Sequence, residues 1–148
     1  MTDNFESSDE IADRQLKLQL RLAQLERIEA CQNNFMTFVR AMWPEFIAGK
    51  HHRLISEKLE AVANGKLKRL IVNMPPRHTK SEFASFLFPA WMVGRNPAMK
   101  IIQATHTTEL AVGFGRKVKN LIEREDYEEI FPESGLAADS KASGRWDT

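Results

Sequence analysis

The chain has 148 residues, 43% hydrophobic and 28% charged, with 21 Lys and Arg against 20 Asp and Glu. That balance belongs to a soluble globular protein with room for one modest domain and not for two complete ones, and a net charge of +1 leaves any nucleic-acid binding to a local basic patch. The one cysteine, Cys31, excludes an intrachain disulfide and points to a reducing compartment.

Residues 1–10 are polar and acidic, lack the apolar core of a signal peptide, and are expected to be disordered. Residues 11–30 hold no Pro or Gly and are rich in strong helix formers. Ile11, Leu18, Leu22 and Leu25 form one apolar stripe, widened by Leu16, Leu20 and Ala23. The stripe is expected to pack the helix on the domain or, alternatively, to dock a partner. The helix is expected to continue through Phe35, Phe38 and Val39 to Met42, where the Trp43–Pro44 step stops it. After a loop over residues 44–50, residues 51–63 read as a helix with Leu54, Ile55, Leu59 and Val62 on one side, closed by Asn64-Gly65.

Residues 70–74 are a short apolar run with two β-branched members and read as a buried strand, ended by Pro75 and Pro76. A helix is expected from about Lys80 to Val93, bent at Pro89; its residues 83–93, the longest apolar stretch, are about half the ~20 needed to span a membrane. Residues 99–104 read as a second strand. A third helix follows, capped by Thr107 or Thr108 and reaching about Glu125, and residues 134–148 read as loop. The order helix, strand, helix, strand, helix predicts an α/β fold with a parallel sheet and right-handed crossovers. With two visible strands such a sheet has an open edge, and marginal stability is expected.

Chemistry concentrates in Met74-Pro75-Pro76-Arg77-His78-Thr79-Lys80-Ser81. A Lys-Ser pair opening a helix after an apolar run has the layout of a phosphate-binding loop, in which backbone N–H groups and the helix dipole face the phosphates. Met74 and Thr79 stand where the standard pattern has glycine, so on these residues alone the segment fails that pattern and a Pro-Pro turn with a surface Lys-Ser is the favoured reading.

The run 70–82, LIVNMPPRHTKSE, resembles the deviant Walker A motif of phage terminase large subunits, which uses proline and arginine where other P-loop ATPases use glycine. Residues 46–70, with the run His51-His52-Arg53-Leu54-Ile55, resemble the family's helix before its first strand. Residues 102–111, and Phe131-Pro132 after Tyr127, resemble its second strand, third helix and following turn, so that the resemblance covers about residues 35–146. It implies a P-loop NTPase fold of the ASCE/RecA-like class, truncated, with an incomplete ATPase domain over residues 46–148 and a disordered tip and amphipathic helix over residues 1–45. It also implies ATP and Mg²⁺ as cofactors, and a motor that couples ATP hydrolysis to moving double-stranded viral DNA into a procapsid. The implied partners are the small terminase subunit, the portal protein and further copies in a ring, in the cytoplasm of the bacterial host and without a membrane.

Carried over by residue, Lys80 binds the β- and γ-phosphates and Ser81 is the Mg²⁺ ligand. Pro76, Arg77, His78, Thr79, Lys80 and Ser81 surround the nucleotide; the N–H groups come from residues 77–81, since Pro76 has none. Arg77 matches a loop arginine beside the γ-phosphate, with an exposed arginine bonding a nearby carboxylate as the alternative. His78 is expected to be structural. His52, or His51, either stacks on adenine or only starts a helix. Lys66, Lys68 and Arg69, and Arg116, Lys117 and Lys119, either touch DNA phosphates or are solvated faces. Arg145 lies near an arginine that acts on a neighbouring subunit's ATP in some terminases.

Hydrolysis also needs an acidic pair after a third apolar strand. None follows Ala104, and the family's nuclease domain is absent, so a nucleotide-binding half-site without turnover of its own is expected. A helicase-like P-loop ATPase and a non-enzymatic docking module are the competing readings.

Overall fold

A computed structural model describes residues 8–136. The polar tip at residues 1–7, and residues 137–148 with Arg145, lie outside the described residues. The elements are α1 (Ser8–Asn33), α2 (Phe35–Met42), α3 (Lys50–Ala63), α4 (Phe88–Arg95), α5 (Thr108–Ile122) and α6 (Glu125–Ile130), with a π-helical turn over Glu82–Leu87 leading into α4.

Their ends follow from local chemistry. The helix expected to run unbroken to Met42 is divided at Asn34, whose side chain accepts the Thr37 N–H at 2.8 Å and caps α2. The α3 helix ends at Asn64 and Gly65, and Gly65 takes φ 71°, the left-handed conformation that glycine adopts without a Cβ clash. Thr107 caps α5 by accepting the Leu110 N–H at 3.3 Å. Helical winding runs from Lys80 to Arg95. The irregularity expected at Pro89 falls one turn earlier, in the π turn, where a wider winding accommodates a proline that cannot donate to the carbonyl behind it.

The core is aromatic. Phe35 meets Phe83 and Phe88 edge to face at 5.7 and 5.6 Å, and Phe38 meets Tyr127 edge to face at 6.1 Å. The polar tips of the two buried rings are satisfied: Trp91 Nε1 donates to the Cys31 carbonyl at 2.9 Å and the Tyr127 hydroxyl donates to the Ala90 carbonyl at 2.8 Å. Gly94 lies flat against Phe131, where a Cβ would come within 2.5 Å of the ring.

The structure overturns the α/β expectation. Among the described residues there is no strand, so the parallel P-loop sheet is not present. A strand exists only through a ladder with a neighbour, and neither residues 70–74 nor residues 99–104 enter one. In the first run Leu70, Val72 and Met74 lean on the core while Ile71 stands 87% exposed; in the second Ile102 is 95% exposed. Helices α2 to α6 with the π turn, joined by Cys31 of α1, fill the interior instead.

The stripe of α1 is a second correction. Ile11, Leu16, Leu18, Leu20, Leu22 and Leu25 are all exposed, because the helix meets the body through other residues near its C-terminal end. Cys31 is buried, Gln32 donates to the Ile130 carbonyl at 2.6 Å, and Gln24 donates to Glu129. No helix among the described residues is long and apolar enough to cross a membrane.

Candidate phosphate-binding loop

The segment 74–81 passes through a turn at Pro76 and Arg77 and becomes helical at Lys80. Two of its non-glycine residues, Arg77 at φ 63° and Thr79 at φ 57°, occupy the left-handed region. Such residues cost free energy, more so for a β-branched threonine, and persist only where their surroundings hold them. They turn the peptide groups of the loop. Among the described residues, the N–H groups of Arg77, His78, Thr79, Lys80 and Ser81 donate to no protein acceptor; the first engaged amide is Phe83, which bonds the Thr79 carbonyl at 3.0 Å. A row of open amides in alternating backbone conformations, running into a helix, is an anion-receiving arrangement.

The side chains divide into two groups. Arg77, Lys80 and Ser81 are exposed, and Ser81 makes no capping bond to the helix, so its hydroxyl is available. Neither Arg77 nor Lys80 has an ion pair or hydrogen bond among the described residues, so the carboxylate partner considered for Arg77 is not there. A single hydroxyl suits Mg²⁺, which keeps several waters and takes phosphate oxygens as further ligands. Among the described residues no cluster of three or more His, Cys, Asp and Glu forms a metal cage. His78 turns inward on the loop, its Nδ1 donating to the Pro76 carbonyl at 2.9 Å.

His52 differs most from its expected place. It is 7% exposed, its ring stacks on Phe83 at 5.3 Å with an interplanar angle of 24°, and Phe46 approaches edge to face at 4.8 Å. Its Nδ1 accepts the Gly49 N–H at 2.9 Å and its Nε2 meets Thr79 Oγ1 at 2.6 Å. Burial, and then the neighbouring His51 and His78, push its pKa below the ordinary histidine value. The ring therefore belongs to the support of the loop. His51 is exposed, its ring 3.8 Å from that of His52 and 5.8 Å from that of His78.

The proposed basic sets also separate. Lys66, Lys68 and Arg69 are exposed in the segment after α3. Lys117 is occupied, bonding Glu82 at 2.8 Å and standing 5.7 Å above both Phe86 and Phe114. What the sequence reading missed is the support: Gly49, Phe46 and Phe83 around His52, and the Glu82–Lys117 pair beside Ser81. A histidine three residues after a helix-capping glycine was a visible signal for the first, since a side chain at that position reaches back to the cap.

Comparison of the chain with protein-family models, with curated proteins and with solved structures finds no match.

Proposed function

We propose that residues 76–81 hold the phosphates of ATP in a DNA-packaging ATPase of the phage terminase large-subunit kind. The observation that carries this reading is the loop itself, with two left-handed non-glycine residues that open five consecutive amides just where Lys80 and Ser81 begin a helix. In this role Lys80 neutralises the β- and γ-phosphates, and Arg77 offsets charge that builds on the γ-phosphate during transfer. Ser81 takes Mg²⁺, which when bound neutralises the phosphate oxygens. The moving partner is double-stranded DNA. The exposed leucines of α1 favour a docking role beside this one, toward the small terminase subunit or the portal protein.

The test is isothermal titration of the chain with Mg²⁺ and a slowly hydrolysed ATP analogue. Lys80→Ala should weaken binding about 10- to 100-fold, because a charged hydrogen bond to the ground-state phosphates is lost. In the complete ATPase, Arg77→Ala should leave affinity nearly unchanged and slow single-turnover hydrolysis roughly 10²–10³-fold. Failure of the parent chain to bind, or equal binding by Lys80→Ala, defeats the proposal.

A further inference from the structure

Hydrogen-bond directions around His52 fix its tautomer. The Gly49 N–H can only donate, so Nδ1, 2.9 Å away, accepts and carries no proton. The Thr79 hydroxyl spends its one proton on the His78 carbonyl at 2.7 Å. At 2.6 Å from Thr79 Oγ1, Nε2 must then be the donor. The result is a directed chain from the cap of α3 through His52 and Thr79 to the His78 carbonyl, and it passes through the residue held at φ 57°, Thr79.

We infer that His52 is a positioning residue for the phosphate loop: in its neutral Nε2–H form it clamps Thr79 in the left-handed conformation that opens the amides of residues 77–81, and protonation of the ring releases the clamp. A proton on Nδ1 would face the Gly49 N–H, setting donor against donor, so the ring must leave its place. The groups around it add no counter-charge. His51 lies on its own helix and His78 on the loop, neither of which supplies a negative charge, and Arg77 and Lys80 on that loop are cations. Phe46 and Phe83 bring no charge, and Glu82, next to Phe83, is bonded to Lys117. The lowered pKa of the ring agrees with this placement. That the loop's ligand is a phosphate rests on the function proposed above; that His52 holds the loop does not.

Two measurements on the intact chain test the clamp. Nitrogen-15 NMR of the histidine side chains should show His52 as the neutral Nε2–H tautomer at pH 8, with the Thr79 three-bond amide coupling changing as His52 titrates. Pyrophosphate titrations from pH 5 to 8 should show the parent binding roughly fivefold to tenfold more tightly than Thr79→Val at pH 8, the worth of one hydrogen bond. That ratio should fall toward one in acid as His52, followed by its nitrogen-15 signals, becomes protonated. Taking the ratio cancels any pH effect on binding that does not pass through Thr79. His52→Gln, whose amide can still donate to Thr79 but cannot titrate, should keep most of the affinity and lose the acid effect, whereas His52→Ala should lose both. An Nδ1–H tautomer, a ratio that does not move with pH, or parent-like binding by His52→Ala overturns the clamp. If the parent binds no pyrophosphate at any pH, the phosphate reading falls, and the tautomer and the Thr79 coupling still decide the clamp.

Discussion

Trp91 and Ile102 are both large apolar residues in apolar runs, and the fold treats them in opposite ways. Trp91 is fully buried, with its one polar atom bonded to the Cys31 carbonyl. Ile102 is 95% exposed, and the run around it pairs with nothing among the described residues. Around Trp91 the helices meet through rings that reach several neighbours, so few elements suffice to close an interior. Residues 70–74 and 99–104 have no ladder partner and leave one or more isoleucines in water. Apolar content alone therefore does not decide burial; what decides it is whether the required neighbour is within reach of a side chain or must be supplied as a second backbone.

The largest expected effect lies on the buried side. Trp91→Ala should lower the free energy of unfolding by about 3–5 kcal/mol, read from urea melts, while Ile102→Ala should stay within about 0.5 kcal/mol. Equal losses would erase the distinction between the two regions.

Tyr127 gives the next effect, visible in alkali. Burial pushes its pKa up to about 12, against an opposing hydrogen bond from Ser134. The folded state thus favours the neutral phenol. Its contribution is complete below pH 10, where the unfolded tyrosine begins to ionise, and is lost as pH rises from 10 toward 12, up to about 2–3 kcal/mol. Urea midpoints across that range should fall for the parent, and Tyr127→Phe should remove this part of the slope.

Two glycines sharpen the contrast at the smallest scale. In α4, Gly94→Ala would bring a Cβ within 2.5 Å of the Phe131 ring. Overpacking at about 1–3 kcal/mol outweighs the better helix propensity of alanine, worth about 1 kcal/mol, so a net loss is expected. In α5, a Cβ at Gly113 meets nothing within 4 Å, and Gly113→Ala should stabilise by up to about 1 kcal/mol. Thermal melts that rank these two the other way would show that the Gly94–Phe131 contact yields easily.

Features written in neighbouring residues were legible. Asn64-Gly65 marked the end of α3, Thr107 the start of α5, and Lys80 the first helical position after the loop. Each depends on contacts only a few residues apart. The sheet was not legible, because a five-residue apolar run looks the same whether or not a partner strand stands beside it. The outward leucines of α1 fooled the stripe argument for a related reason: periodicity finds a face and does not say what meets it. His52 was singled out for a contact with a base, yet its bond to Thr79 joins residues 27 apart in the chain. That separation is closed by the packing of Phe46 and Phe83, which no local pattern announces.

The π turn between Ser81 and Phe88 has a consequence for phase. A turn closed from i to i+5 takes in one residue more than an α turn, so everything after it is set back by about 100° around the helix axis. Lys80 and Ser81 sit before that offset and Trp91 after it. The direction in which the loop's lysine leaves the helix and the direction in which the tryptophan enters the core are thus fixed relative to each other by a single residue of winding. Removing one residue from Glu82–Leu87 would restore α geometry and turn either the indole out of the interior or the lysine away from the loop's open amides.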